Sequence, residues 1–423
     1  MKIFFLSLGC DKNKVDSEKL LFILSRKCKN IIFSDTMEEA DLCIINTCSF
    51  IHDAKKESKF YIERAIKLKK SSIYNLKYIM IFGCFATEYK KTIKQNYPSV
   101  DYIFTLDQYN VFLNKQIERI NDITSFSQSL KISDGCNKRC SYCIIPKLRG
   151  NLKSEKIENL FLEAKNLAKQ GTVELNLVAQ DTLSYGIDLY KKKCINELLN
   201  KLSIIKEFHW IRLLYCYPEE IDQSLINTIK SNEKIVNYID MPIQHISNRI
   251  LNNMNRNTTS EKIYDLIRNL RNQIDDISLR TTLIVGFPGE TEKDFFELCA
   301  FVENTKFDNL GVFTYSDEKN SKSFNMKNKI PYTIKEFRKN TIMQIQKNII
   351  IEKNNHKIGK IYEVIVEGFI KEKNLYIGRN AYNASNIDTQ IYFKAKDKYI
   401  LSGTFVYVKI TSFKYYDLYG EKI

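Results

Sequence analysis

Cys136, Cys140 and Cys143 lie in the run Gly135-Cys-Asn-Lys-Arg-Cys-Ser-Tyr-Cys143, an uneven CxxxCxxC spacing. Three thiolates spaced in this way can hold three irons of a [4Fe–4S] cube and leave the fourth iron open. An open iron lets a cluster act on a bound small molecule as well as move electrons. A zinc knot is the competing reading, but tetrahedral zinc takes four protein ligands, usually from two CxxC-like pairs. No histidine or fourth cysteine lies near enough in sequence to complete one.

Three further cysteines follow short apolar runs: Cys10 in SLGC, Cys48 in INTC and Cys84 in IFGC. In an open parallel sheet the carboxyl ends of the strands share one edge, where binding crevices form. Cysteines placed after three such strands can meet there and bind a second cluster, although they are far apart in sequence. Each alone would read as a buried core thiol, and that reading holds for Cys43, which lies within a strand. Cys194, Cys216 and Cys299 have no partners at metal spacing and are expected to pack, with Cys216 beside tyrosines near the pocket.

The elements that must position these residues fall into three domains. Residues 1–110 alternate apolar runs (Ile3–Leu8, Leu42–Asn46, Tyr78–Phe82) with helical stretches (Ser17–Lys27, Ala54–Lys69, Glu88–Lys94). That pattern predicts an open α/β unit with a mainly parallel sheet. Residues 111–127 read as a polar join. Over 128–345 six strand candidates alternate with helices: Leu130–Ile132, Glu174–Val178, Trp210–Leu214, Val236–Met241, Ser278–Val285 and Leu310–Thr314. They suit a partial (βα)6 barrel with chemistry at the carboxyl strand ends, and the three-cysteine loop follows the first strand. Gln180 and Asp181, Gln244 and His245, and the turn from Gly286 to Glu290 fall at the same ends. Polar groups gathered there can orient a cofactor. A glycine–proline turn is more often only a turn, and a lone histidine more often orients a neighbour or caps a helix. After a basic connector at Thr333–Lys353, short alternating strands over 350–423 predict a small antiparallel β-barrel.

Six prolines and fourteen glycines leave little room for disordered linkers, and 44% hydrophobic residues suffice for real cores. Lys+Arg exceeds Asp+Glu by 65 to 50, a net charge of +15 that fits a polyanionic partner such as RNA or the ribosome, or simply solvated faces. Eleven cysteines favour metal ligands over disulfides. The opening Met1–Gly9 reads as a strand rather than a signal core, and no apolar run reaches the roughly 20 residues of a membrane helix. A soluble, cytoplasmic protein without membrane contact is expected.

CxxxCxxC resembles the signature of the radical S-adenosylmethionine enzymes. The string Ile132-Ser-Asp-Gly-Cys136 through Cys143-Ile-Ile-Pro146, then Arg149-Gly150, is similar to the methylthiotransferase branch. SLGCDKNKVDSE (Ser7–Glu18), VELNLVAQDTLSYG, WIRLLYCYP, YIDMPIQHIS and RTTLIVGFPGET resemble the branch that modifies ribosomal protein. Gly378-Arg379 and Asn386-Ile-Asp388 resemble the TRAM-type barrel of RNA-modifying enzymes. One departure is Cys84-Phe-Ala-Thr-Glu-Tyr89, where the family usually reads closer to Cys-Leu-x-Gln-Arg-Tyr.

The resemblance implies two [4Fe–4S] clusters, one on Cys10, Cys48 and Cys84 and one on Cys136, Cys140 and Cys143, with S-adenosylmethionine on the latter's open iron. It implies a general pocket role for Tyr142, Gln180, Asp181, Gln244, His245, Arg280, Gly286 and Glu290, and substrate docking by Arg379 and Tyr382, with Tyr376 able to stack. The implied reaction adds a methylthio group to the β-carbon of an aspartate in small-subunit ribosomal protein twelve, free or on the small subunit. Flavodoxin or ferredoxin would supply the electron, with an RNA contact through the barrel. The alternatives are methylthiolation of a modified adenosine in tRNA and, from another class, a non-catalytic iron–sulfur RNA-binding protein.

Overall fold

Leu42–Thr47 is buried along its whole length, as a parallel strand covered on both faces must be. It forms the centre of a five-stranded sheet. The computed structural model describes residues 1–28, 30–112, 117–122, 125–396 and 399–423. Part of the expected polar join, residues 113–116 and 123–124, lies outside the described residues.

The chain packs into two units. The first comprises Met1–Asn121, Ser133–Lys153 and Ser316–Phe324. Its strands are β1 (Lys2–Ser7), β2 (Ile32–Phe33), β3 (Leu42–Thr47), β4 (Tyr78–Gly83) and β5 (Tyr102–Ile103), all parallel in the order β2-β1-β3-β4-β5. Helices α1 (Asp11–Lys27), α2 (His52–Lys70), α3 (Cys84–Asn96) and α4 (Leu106–Phe112) connect and flank them. Two-residue strands such as β2 and β5 carry too little periodicity to be read from sequence. The helix expected from Ser17 begins six residues earlier, at Asp11, because its first turns bury polar rather than apolar side chains.

The second unit comprises Asp122–Ile132, Ser154–Tyr315 and Asn325–Ile423. It opens with β6 (Ser127–Lys131). The chain then leaves it for β7 (Ser133–Asp134), the cysteine loop and α5 (Ile145–Leu148), before β8 (Lys153–Ser154). Strands β9 (Glu174–Val178), β10 (Trp210–Leu213), β11 (Ile235–Asp240), β12 (Ser278–Val285) and β13 (Asn309–Thr314) complete an open parallel sheet in the order β13-β12-β11-β10-β9-β6. Six strands joined by helices form the expected partial barrel. Leu175, Leu177, Ile211, Ile239 and Leu283 are fully buried in its core.

The 24-residue helix Tyr332–Asn355 leads to β14 (Ile361–Ile370), β15 (Leu375–Arg379), β16 (Ile391–Lys394), β17 (Phe405–Lys414) and β18 (Asp417–Lys422). These close into a barrel in the order β14-β15-β16-β18-β17, and closure leaves no edge exposed to another chain. Strand β18 was not evident in the sequence. It pairs antiparallel with β17 and parallel with β16 to complete the ring.

Candidate functional site

Each of the three spaced cysteines of the first unit stands where a strand ends and a helix or turn begins. Cys10 caps α1, Cys84 opens α3, and Cys48 directly follows β3. A ladder of polar contacts ties these three turns together. Asn13 donates from its side chain to the Leu8 carbonyl at 2.8 Å, and Asn46 donates to the Asn13 carbonyl at 2.8 Å and to the Ser17 hydroxyl at 3.0 Å. Thr47 donates to the Phe82 carbonyl at 2.5 Å and accepts from the Ala86 amide at 3.1 Å. Ser58 brackets Cys48, accepting from its amide at 3.0 Å and donating to its carbonyl at 2.8 Å. The backbone around every one of these cysteines is therefore fixed by its neighbour's turn.

Two glycines bring the turns close. Gly9 has φ +91°, and a Cβ there would lie 2.8 Å from the Cys48 sulfur. Gly83 has φ +96°, and a Cβ would meet the Asn46 side chain at 2.2 Å. Any other residue would strain the backbone and push the turns apart.

The CxxxCxxC loop belongs to the same unit and is laced by its own side chains. Arg139 donates to the Cys136 carbonyl at 2.9 Å and to Asn151 Oδ1 at 2.7 Å. Asn137 Oδ1 accepts from the Leu152 amide at 3.1 Å, and Cys136 donates its amide to the Gly150 carbonyl at 3.1 Å. From Ser316–Phe324, the Ser323 amide donates to the Ser141 carbonyl at 2.8 Å. Lys55 of α2 joins Glu318 to Glu88 of α3 and donates to Tyr89 at 2.9 Å. Glu88 stands where the resemblance expects arginine, and Lys55 supplies the opposite charge there.

Arg149, just after α5, lies almost wholly buried between these features. Its Nη1 donates to both Asp134 carboxylate oxygens at 2.9 and 3.0 Å and to Asp16 at 3.2 Å, and its Nη2 donates to Asn13 at 2.5 Å. Burial pushes the Cys48 and Cys143 thiols up to about 12 and raises Cys84, with the Arg149 charge acting in the opposite sense on Cys48 and Cys84. The thiolate is the metal ligand, so loading iron here releases protons and overcomes that penalty.

Both triads offer sulfur alone, with Asp16 and Asp134 already engaged by Arg149. Among the described residues no three His, Cys, Asp or Glu side chains converge as the ligands of one ion would. A cube does not ask for that, because each of its cysteines binds a different iron. The donor chemistry fits iron–sulfur ligation.

In the second unit the structure brings some expected pocket residues together and separates others. Glu290 is buried and folds the Gly286 turn, accepting from the Gly286 amide at 2.7 Å and the Phe287 amide at 3.2 Å. Arg338, from the Tyr332–Asn355 helix, pairs with it at 2.8 Å. His245 is fully buried beside it, its Nε2 3.7 Å from Glu290. Burial lowers His245 to about 3, so the ring is neutral, and its Nδ1 accepts from the Ser247 amide at 3.0 Å. His245 thus orients the turn that leads to Ser247. Gln244 bridges β12, donating its amide to Thr282 and accepting from Ile284, at φ +74°. Asp181 is buried and accepts from Ser184 at 2.5 Å; Gln180 precedes it, half-buried, just after β9. Tyr142 is half-buried in the cysteine loop of the first unit.

Arg280 stands apart. It pairs with Asp240 at 2.9 Å and with Asp388 at 3.2 Å, and it lines a cavity of about 340 Å³ with Ile387, Asp388 and Thr389. Docking by Arg379 is corrected: the side chain is buried, bound to Glu174 on β9 and to Glu367 at 2.6 Å. Tyr376 is likewise unavailable, buried and stacked on Phe393. Arg379 of the Gly-Arg signature and Asp388 of the Asn-Ile-Asp one are internal fasteners, whereas Asn386 and Ile387 are exposed. Tyr382 is half-buried against Tyr362 in a cavity of about 650 Å³. Cys43, Cys194 and Cys216 are buried and Cys299 is partly buried, as packing residues are.

Three family models match the chain: the uncharacterized protein family UPF0004 over residues 2–105, the radical SAM superfamily over 130–302, and the TRAM domain over 358–423. Among solved structures, the radical S-adenosylmethionine methyltransferase TsrM from Kitasatospora setae shares the fold, with TM-score 0.52 and 12% identity over 74% of each chain. The cobalamin-dependent S-adenosylmethionine radical enzyme OxsB has TM-score 0.51 and 13% identity over 83% of this chain and 56% of its own. Fold and thiol sites define a radical S-adenosylmethionine protein. The curated "Ribosomal protein uS12 methylthiotransferase RimO" of Clostridium acetobutylicum is 44% identical over 99% of this chain and 98% of its own. Those of Clostridium novyi and Lachnoclostridium phytofermentans are 44% and 43% identical over 99% of this chain and 97% and 99% of theirs. The chain belongs to the ribosomal protein uS12 methylthiotransferase family.

Proposed function

We propose that this enzyme adds a methylthio group to the β-carbon of an aspartate in ribosomal protein uS12, using S-adenosylmethionine and two [4Fe–4S] clusters. The reading is carried by two thiol triads in one packed unit of a chain that is 44% identical to a uS12 methylthiotransferase over 99% of its length. When bound, the cluster at Cys136, Cys140 and Cys143 would pass an electron from a flavodoxin or ferredoxin to S-adenosylmethionine, while that at Cys10, Cys48 and Cys84 would carry the sulfur.

The protein's share of the work is placement. Arg139, Asn137 and the Gly150 carbonyl hold the loop that presents one triad, and the Asn13–Asn46–Thr47 ladder holds the turns that present the other. Fixed turns would hold the thiols of each triad in place and limit the access of water to them. Gln180, Asp181, Gln244 and Gly286, at the strand ends of the second unit, would bind the cofactor; Tyr142 would serve the cysteine loop of the first. Glu290 and His245 would shape the turn that receives it.

The domain division 1–110, 128–345 and 350–423 is part of this reading, as is work on the small subunit with an RNA contact through the TRAM barrel. No helix among the described residues is long and apolar enough to cross a membrane, in keeping with a cytoplasmic enzyme. Deleting the gene in its host, then examining uS12 and total tRNA by mass spectrometry, tests the substrate. A methylthio group lost from the uS12 aspartate with tRNA unchanged is the expected result. Loss from a tRNA adenosine with uS12 unchanged would keep the chemistry and overturn the substrate.

A further inference from the structure

Helix α1 buries Lys12, Asn13, Asp16, Ser17, Glu18 and Lys19 in its first turns, where an ordinary helix buries an apolar stripe. Buried polar groups are costly unless paired, and two of these, Asn13 and Asp16, are paired with Arg149. That arginine follows the CxxxCxxC loop, and its other partner, Asp134, lies two residues before Cys136. Asn13 lies three residues after Cys10 and, through Asn46, reaches the end of β3 two residues before Cys48. One planar guanidinium thus bonds at once to the element presenting the first triad and the element presenting the second, inside a single packed unit. Its rigid fork sets both distance and angle, which a lysine's single flexible ammonium cannot reproduce.

We propose that Arg149 is a positioning residue that fixes the separation of the two cysteine triads, and with it the reach between the radical site and the sulfur-carrying site. The inference rests on the methylthiotransfer reading above. It adds that coupling between adenosylmethionine cleavage and sulfur delivery is set by this one side chain.

The test uses the full-length chain reconstituted with iron and sulfide, reduced with dithionite and given S-adenosylmethionine and uS12, comparing wild type with Arg149→Lys and Asp16→Asn. Iron and sulfide content, the intercluster spin coupling by pulsed EPR, 5′-deoxyadenosine formed, and methylthiolated uS12 are all measured. Arg149→Lys is expected to keep both clusters and cleave S-adenosylmethionine near the wild-type rate. Its methylthio product per 5′-deoxyadenosine should fall by roughly 10- to 100-fold, with a broadened intercluster distance. Asp16→Asn keeps the shape and loses one charge, and should move both readouts the same way by a smaller factor. If Arg149→Lys fails to assemble, Asp16→Asn decides the matter. An unchanged product ratio and unchanged spin coupling in a fully loaded variant overturn the proposal. If wild type cleaves the cofactor but leaves uS12 unmodified, the substrate reading fails, and the spin coupling still decides the role of Arg149.

Discussion

Arg149 and Arg379 are both almost wholly buried, and each is held by two carboxylates: Asp16 and Asp134 for the first, Glu174 and Glu367 for the second. Their neighbours differ. The partners of Arg149 stand within a few residues of cysteines: Asn13 and Asp16 in the first turns of α1, after Cys10, and Asp134 at the end of β7, before Cys136. Arg379 reaches Glu174 at the first residue of β9, where Arg212 also binds at 2.9 Å, and its guanidinium lies 6.0 Å from the Trp210 ring. The amino ends of barrel strands are where stability rather than chemistry is usually built. One device, a desolvated arginine between carboxylates, places reactive groups in one unit and fastens a module in the other. The identity of the residue does not say which; the elements that supply its partners do.

The largest effects should separate the two triads from everything else. Cys136→Ala should abolish 5′-deoxyadenosine formation by the reconstituted enzyme, whereas Cys48→Ala should spare that step and stop methylthiolation of uS12. Complete methylthiolation by Cys48→Ala would remove the division of labour, and residual cleavage in Cys136→Ala would remove the cofactor assignment.

A smaller effect is expected at the fastener. Arg379→Met leaves Glu174 with one arginine, Arg212, and Glu367 without this ion pair. It should cost about 1.5–3 kcal/mol, the usual range for lost bonds to charged groups and less than stranding a buried charge outright. Trp210 is the only tryptophan of the chain and packs edge-on against Phe405 of the closed barrel, so its fluorescence reports that junction in a urea titration. The midpoint should fall while 5′-deoxyadenosine formation per folded enzyme stays unchanged. A lost cleavage rate with an unchanged midpoint would make Arg379 a functional residue after all and collapse the contrast with Arg149.

The smallest effect concerns pH. Burial alone would raise the Glu174 carboxyl, but Arg379 and Arg212 overcome it and hold the group at about 2 against an ordinary 4.5. The unfolded chain therefore binds the extra proton first on acidification. The stability that Glu174 contributes is present above about pH 4.5 and is lost as pH falls towards 2. Glu174→Gln should unfold more readily at neutral pH and show a shallower loss through that window. An acid limb as steep as wild type would place the titrating group elsewhere.

Much of this was legible in the chain. Strand ends carrying SLGC, INTC and IFGC were found because all-apolar runs bounded by glycine and polar residues make short buried strands. Glu174–Val178 and Ser278–Val285 match their expected bounds. What stayed hidden was long-range pairing. Arg149 was visible only as part of a string, because Asn13 and Asp16 lie more than 130 residues away in sequence. Arg379 sits in an apparently exposed motif, and only the fold brings Glu174, 205 residues away, against it. The signal that could have exposed the first hub was the polar run Asp11-Lys-Asn-Lys-Val-Asp-Ser-Glu18 opening a helix, with Asn13 and Asp16 three apart on one face.

The first unit is drawn from three separated stretches of chain, and that shapes how it is made. A ribosome adding roughly 5–20 residues each second would release Asn13 and Asp16 some ten seconds before Arg149 exists to meet them. Ser316–Phe324 emerges later still. Through that interval the early thiols and the polar side of α1 have no finished home, and the nascent domain waits half-built. A unit drawn from stretches so far apart in sequence cannot be finished before Ser316–Phe324 has been made.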